Sequence, residues 1–391
     1  MTQTPNPQEQ PILVVGGGFA GLSALQAFSR VHPRPPLVLI EPRSKFLFVP
    51  LLYELLSGEL QGWEVAPDYG QLLQARGVSH VQDSVRSINL EDHVVTTNGG
   101  QRMPYSQLVL ATGAVPEDFG IPGVREHALR FHALEDIHPL QARLRELRHR
   151  PSGTSTLVIV GAGATGVELA CKLVDLLDGA ARVHLVEQGE QILSRSRAFN
   201  REQAERALKQ RGVTVHLKTR VLNVSANAVQ WSGVEGEVEQ AHDGLIWTAG
   251  SRPNIPELTP SIAPHHKRLP VDETLRLIGQ PDVLVLGDIA RQPTIDEGQT
   301  PWPLSAQVAI QQGQAAACSL QSHRQGNRSD PFVFKDLGEM LSLGIGDATL
   351  TGMGVTLAGP LAFQMRRLAY LTRMPGLSLG LRSAGAWLFS S

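Results

Sequence analysis

Two short glycine runs carry the strongest chemical signal in this chain. Gly16, Gly18 and Gly21 follow the apolar run Ile12, Leu13, Val14, Val15, and Gly161, Gly163 and Gly166 follow Leu157, Val158, Ile159, Val160. Phe19 and Ala20 complete the first G-x-G-x-x-G pattern, and Ala164 and Thr165 complete the second. A loop of this kind holds a pyrophosphate: the first glycine permits a tight turn, the second lets backbone meet phosphate, and the third lets helix pack on strand. The helix start that follows offers N–H groups and a dipole that favour negative charge. In each copy an acid then ends the next apolar run, Glu41 after Ile40 and Glu187 after Val186. Both lie about 20 residues past the last glycine, where a carboxylate meets a ribose 2′-OH. Two such units imply two bound dinucleotides, and two dinucleotides side by side imply electrons passed between them.

The elements that must position these groups are βαβ units. The expected fold is therefore α/β, with two Rossmann-like dinucleotide-binding domains and a C-terminal amphipathic segment. At 391 residues the chain has room for two to three domains with sizeable cores. Residues 1–10 are polar and read as a disordered tail, with neither the apolar core of a signal peptide nor the Arg-rich pattern of a transit peptide. Residues 11–123 form the first unit and 124–254 the second. Residues 255–347 return to the first unit, and 348–391 form the C-terminal segment. The last strand of each unit ends in small residues, Ala111, Thr112 and Gly113 in one and Thr248, Ala249 and Gly250 in the other. Such endings let backbone approach a flat ligand. A third apolar run, 282–286, ends at Gly287 and Asp288. Helices are expected over 133–150 and 304–319, and a strand or hairpin pair over 332–343.

The net charge of −2 gives no general attraction to nucleic acid. Cys171 and Cys318 lie far apart with no metal or C-x-x-C spacing, and the histidines show none either, so neither a metal nor a disulfide is expected. No run of about 18 apolar residues exists to cross a membrane.

The ordered set of both glycine loops, Ala111-Thr112-Gly113, Thr248-Ala249-Gly250 and Gly287-Asp288 resembles the two-dinucleotide-binding-domain flavoproteins. More narrowly, the chain resembles the type II NAD(P)H:quinone oxidoreductases. Residues 48–54 are similar to their segment over the flavin. Residues 161–170 are similar to their NADH loop, and Ala306, Gln307, Ala309 and Gln311 match their A-Q-x-A-x-Q helix. Residues 366–375 look most like the cyanobacterial and plastid branch, which reduces demethylphylloquinone and related prenylated quinones.

The resemblance implies FAD on the first loop and NADH or NADPH on the second. Glu41, Pro42, Arg43 and Val85 would then flank the FAD adenosine, and Ala111, Thr112, Gly113, Gly287 and Asp288 the rest of FAD. Ala249, Gly250 and Glu187 would belong to the nicotinamide nucleotide. Glu187 favours NADH because a carboxylate repels a 2′-phosphate, although Arg182 or Arg195 could accept one. Glu168 would face the nicotinamide; otherwise it complements the helix dipole. Gln307 and Gln311 share a helix face and would bond a quinone carbonyl; otherwise they form a polar, exposed face.

The implied partner is a membrane quinone, with non-proton-pumping turnover and no side-chain nucleophile. Leu361, Met365, Leu368 and Thr372 recur at helical spacing, with Arg366 and Arg373 off that face. A second apolar piece, 377–389, carries Arg382 and Trp387. These suit peripheral attachment, on the cytoplasmic face of a thylakoid or plasma membrane in the cyanobacterial case, or contact with a second subunit in a homodimer. Two other readings remain: a flavoprotein reducing a soluble protein acceptor, and a flavin redox sensor with little turnover.

Overall fold

The structure, a computed structural model, describes residues 10–34, 36–262, 267–293, 301–376, 379–380 and 382–385. The expected tail thus lies outside the described residues except for Gln10, and so does Trp387. The chain forms two compact units, each assembled from three stretches. Among the described residues, one comprises those within 10–46, 67–115 and 252–335, and the other those within 47–66, 116–251 and 336–385.

The first unit is built on a six-stranded sheet. Four of its parallel strands lie in the spatial order Val78–Val81, Leu37–Ile40, Ile12–Val15, Gln107–Leu110, and Gln280–Val285 continues the row in parallel. Read in chain order, the first four strands stand 3-2-1-4, the Rossmann arrangement. Ile12–Val15, Leu37–Ile40 and Gln107–Leu110 are buried at every position. That is why these strands read as unbroken apolar runs rather than as alternation. Between Leu37–Ile40 and Gln107–Leu110, two successive strands part company. Val78–Val81 joins the main sheet, and Val85–Asn89 starts a separate four-stranded sheet. Helix Phe19–Phe28 packs against helix Ala306–Arg324. A Cβ on Gly313 would sit 2.4 Å from the Ala20 carbonyl oxygen and 2.8 Å from the Ser23 Cβ. A bare backbone at residue 313 is therefore what lets the two helices touch.

The second unit repeats the plan. Thr214–His216, Ala181–Val186, Ser155–Val160 and Gly244–Trp247 again stand in the order 3-2-1-4, all parallel, with Leu129–Arg130 at the far edge. An antiparallel sheet of Arg220–Val224, Ala228–Gly233 and Gly236–Ala241 lends Val221, Val229 and Trp231 to the core beside Val158 and Val160. The helix expected over 133–150 runs from Ile137 to Arg148 after a short 3-10 turn, Leu134–Asp136.

Three sequence expectations change here. Residues 47–66, 116–123 and 336–347, assigned to the first unit, pack with the second: Ile121 joins its core, and the Trp247 indole N–H donates to the Glu117 carbonyl at 2.8 Å. Residues 332–343 hold a strand, one of the two forms expected, but no hairpin pair of their own. Only Glu339–Ser342 is a strand, and it pairs forward with Ala348–Gly352, which pairs with Val355–Ala358. Third, the segment 348–391 is no separate appendage. Its strand Ala348–Gly352 pairs with Glu339–Ser342, and Arg366 of its helix Pro360–Arg373 pairs with Glu54.

Replacing Gly313 with valine should force the two helices of the first unit apart. We expect a loss of about 1–3 kcal/mol, the usual cost of overpacking, read as a lowered Tm in thermal unfolding.

Candidate functional site

Each glycine loop has three backbone roles, and the geometry separates them. A Cβ on Gly16 would lie 2.4 Å from the Ala111 carbonyl oxygen, and one on Gly161 would lie 2.8 Å from the Ala249 Cα. The first glycine of each loop is therefore pressed against the small residues that end the fourth strand. A Cβ on Gly21 would lie 1.9 Å from the Gly16 carbonyl oxygen, and one on Gly166 would lie 1.8 Å from that of Gly161. The third glycine thus seats the helix on its own loop. The middle glycines, Gly18 and Gly163, face open space. They are the N-caps of Phe19–Phe28 and Ala164–Leu177, and neither helix is capped by a side chain. The two cradles fit a pyrophosphate at a helix start in the same way.

The acids brace these loops. Glu41 Oε2 accepts from the Gly17 N–H at 2.7 Å, and Glu187 Oε2 accepts from the Ala162 N–H at 2.8 Å. The second Glu41 oxygen accepts from Arg43 Nε at 2.7 Å, and the second Glu187 oxygen from the Gly189 N–H at 2.8 Å. Burial alone would raise the Glu41 carboxyl. The hydrogen bond and charge of Arg43, with the Gly17 and Arg43 amides, outweigh burial and hold it below its ordinary value. Each Glu187 oxygen keeps a further lone pair for a hydroxyl donor, whereas both Glu41 oxygens already accept twice, Oε1 also from the Arg43 N–H at 3.1 Å and Oε2 also from Arg43 Nη2 at 3.2 Å. Pro42 lies exposed beside Glu41, and Val85 packs partly buried on the core of the first unit. Phe19 meets Phe46 edge to face at 5.4 Å.

Around the Gly-Asp strand end, a Cβ on Gly287 would lie 3.7 Å from the Ala20 Cβ and 3.9 Å from the Ala309 Cβ. Gly113 accepts from the Asn254 N–H at 2.9 Å, which fixes the end of the fourth strand. Gly287 donates its N–H to Gln312 Oε1 at 2.6 Å. Gln312 is buried and lines a cavity of about 510 Å³ with Asp288, Arg291, Trp302 and Leu304. The sequence gives no sign of this role, because Gln312 sits in a glutamine-rich helix where one more amide is unremarkable.

Gln307 and Gln311 stand one turn apart on that helix. The Gln311 amide docks on backbone: its Nε2 donates to the Lys335 carbonyl at 2.8 Å, and its Oε1 accepts from the Lys335 N–H at 2.9 Å. This holds the start of the stretch expected to be a strand or hairpin pair.

In the second unit Glu168 is buried on helix Ala164–Leu177, not exposed at its surface. Its Oε1 accepts from the Ser342 N–H at 2.7 Å, and the Tyr53 hydroxyl, also bonded to Thr165, donates to its carboxylate. Burial pushes its carboxyl up to about 7. Arg366 and the Ser342 amide oppose the rise, and Glu54 adds to it. Arg366 itself is fully buried and paired with Glu54, so its expected place off the apolar face is a place inside the protein. Cys171 is buried, and burial pushes its thiol up to about 12, which suits core and not redox chemistry. Among the described residues no cluster suited to a metal ion is found.

Two Rossmann units with matching glycine cradles define an oxidoreductase of the two-dinucleotide class. The chain matches the pyridine nucleotide-disulphide oxidoreductase family over residues 10–313 and belongs to it, within its type II NAD(P)H:quinone oxidoreductases. It is 35% identical to a demethylphylloquinone reductase of Synechocystis sp., over 96% of this chain and 97% of that one. It is 33% identical to the alternative NAD(P)H-ubiquinone oxidoreductase C1, chloroplastic/mitochondrial, of Arabidopsis thaliana, over 95% of this chain and 79% of that one. The solved structure of NDH2 from Plasmodium falciparum in complex with NADH shares the fold, with a TM-score of 0.84 at 16% identity, covering 95% of this chain and 96% of that one.

The three glycine roles predict different failures. Gly161→Ala and Gly16→Ala should lower Tm, because their Cβ atoms meet backbone. Gly163→Ala should leave Tm unchanged yet weaken nucleotide binding, measured by titration calorimetry.

Proposed function

We propose that this protein oxidises NAD(P)H and delivers the electrons to a membrane quinone through bound FAD. The observation that carries the reading is the doubled cradle, one copy per nucleotide. When bound, FAD supplies the chemistry of hydride acceptance and onward electron transfer; the protein binds, orients and excludes water.

Gly16, Gly18, Phe19, Ala20 and Gly21 seat the FAD pyrophosphate. Glu41 meets the adenosine ribose beside Pro42, Arg43 and Val85. Ala111, Thr112, Gly113, Gly287 and Asp288 hold the remainder of FAD, and Gln312, through the Gly287 amide, orients the turn that bears Asp288. Gly161, Gly163, Ala164, Thr165 and Gly166 seat the nicotinamide nucleotide, flanked by Ala249 and Gly250. Glu187 accepts its ribose hydroxyls, which favours NADH over NADPH. Lys218 lies near that acid, but its ammonium is 2.8 Å from Glu190, which offsets the cation that a 2′-phosphate would need. Glu168 faces the nicotinamide. Gln307 bonds the quinone carbonyl, and Gln311 contributes the amide valences that Lys335 leaves over.

Membrane attachment uses helix Pro360–Arg373. Leu361 is 61% exposed, Met365 38% and Leu368 63%, and they recur on one side of the helix. That stripe is what peripheral insertion requires. The cationic share is smaller than the sequence suggests. Arg366 is buried with Glu54, and Arg382 lies 4.3 Å over the Trp63 ring. Arg367 lies 5.9 Å from the Phe363 ring centre, and each arginine that reaches an anionic surface contributes about 1 kcal/mol. No helix among the described residues is long and apolar enough to cross a membrane. The particular quinone belongs to the demethylphylloquinone class, and the membrane face is the cytoplasmic one.

The first test is stopped-flow reduction of the flavin-loaded protein by NADH and by NADPH, followed by mixing with a short-chain naphthoquinone. Fast bleaching and fast reoxidation are expected. Fast bleaching without reoxidation by the quinone would move the reading to a protein acceptor, and slow bleaching by both nucleotides to a redox sensor. Glu187→Gln should raise the KM for NADH about 10-fold or more, the size of a lost charge-assisted hydrogen bond, with kcat little changed.

A further inference from the structure

The largest fully buried side chain in the described structure is an arginine, Arg366. It comes from helix Pro360–Arg373, and its Nη1 pairs with Glu54 Oε1 on helix Leu52–Ser57. Its Nη2 donates to the Pro50 carbonyl at 2.8 Å, and its guanidinium lies 4.8 Å from the Tyr370 ring centre. Phe48 meets Tyr370 edge to face at 5.5 Å, which closes the same contact. Two polar atoms in this pair have no hydrogen-bond partner, Glu54 Oε2 and Arg366 Nε. Adjacent to Glu54 in sequence is Tyr53, whose hydroxyl bonds Glu168. Three charges from three helices, Glu54, Glu168 and Arg366, are thus buried in one neighbourhood of the second unit.

Two buried carboxylates and one guanidinium leave one negative charge uncompensated when both acids are ionised. Like charges brought together out of water raise one another's affinity for a proton, and an opposite charge lowers it. The groups facing Glu168 are Tyr53 and Glu54 from one helix, Arg366 and Tyr370 from another, and Cys171 on its own helix. Of these, only Arg366 is cationic, and its partner is Glu54. We propose that Arg366 is a positioning residue that sets the charge of Glu168 by holding Glu54 as its fixed counter-ion. With the guanidinium in place, Glu168 ionises near neutral pH. Without it, Glu168 holds its proton to higher pH.

This inference rests on the reading of Glu168 as the carboxylate that faces the nicotinamide. Hydride loss leaves that ring cationic, so an ionised Glu168 favours the forward step and a protonated one does not. Arg366 sits on the buried side of the helix, opposite exposed Leu361, Met365 and Leu368.

The test uses the FAD-loaded full chain and three variants: Arg366→Met, Glu54→Gln and the two together. The readout is the infrared band of protonated Glu168 followed against pH, assigned by its loss in Glu168→Gln. Arg366→Met should move the midpoint up by about 1–3 pH units, the size of losing a close opposite charge. Glu54→Gln should move it down, because Arg366 then serves Glu168 alone. The double variant should fall between the two. Opposite shifts are not produced by simple loosening of the fold. No shift in Glu54→Gln, or shifts of the same sign in both single variants, overturns the proposal. If Arg366→Met does not fold, the downward shift in Glu54→Gln decides alone, with Arg366→Lys expected to keep the native midpoint.

The rate of flavin reduction by NADH should rise with pH through the same midpoint in each variant. If the infrared midpoints move as stated while the rate profiles stay in place, the assignment of Arg366 stands and the catalytic reading of Glu168 falls.

Discussion

Contact between the third glycine of each loop and the carbonyl of the first is the constraint on which the rest depends. At Gly21 and Gly166 a single added carbon would lie within 2 Å of that oxygen. Because the carbon is missing, the helix start sits directly above the strand end and aims its N–H groups across it. The fourth strand must then finish in small residues, because Ala111 and Ala249 lie against the first glycine of their respective loops. The acid two strands across holds the loop from the other side through one backbone amide. Three sequence features that look separate are therefore parts of one packing solution, used twice.

The two copies are alike in backbone and differ in what surrounds them. In the first, Arg43 charges the acid's environment, and Tyr69 donates its hydroxyl to the Gly17 carbonyl at 2.7 Å. In the second, Glu187 is braced by main-chain amides of its own loop and of Gly189. The second helix also carries buried groups that the first lacks. Glu168 binds the Ser342 amide, and fully buried Lys172 pairs with Glu59 at 2.5 Å. Buried ion pairs are poor sources of net stability but strict on geometry. Here they tie the segment 47–66 and the C-terminal strands to the helix of the second cradle.

Much of the architecture was legible because it is local. Apolar runs, glycine spacing and the following acid all fall within about 30 residues, the span of a βαβ unit. Glu168 was legible as a position but not as an environment: its neighbours Tyr53 and Ser342 lie far away in sequence. The same limit applies to Gln311 and Gln312. Adjacent amides in one helix bond a backbone stretch and a turn respectively, and nothing in their local sequence separates those roles. Of the strand or hairpin pair expected at residues 332–343 only the strand Glu339–Ser342 forms, for a related reason. Lys335 uses its backbone groups on a side chain, so no strand partner is needed there.

By itself the sequence determined two dinucleotide cradles, their order along the chain and the acid belonging to each. It could do so because steric exclusion at glycine and the period of a strand–helix–strand unit act between near neighbours. It also showed the apolar stripe of Leu361, Met365 and Leu368, since helical spacing is local as well. Only the tertiary structure decided that Arg366, one residue along from that stripe, is not a surface cation but the buried partner of Glu54. A charge leaves water only where a distant segment brings its counter-ion, and that pairing is fixed when residues more than 300 positions apart meet.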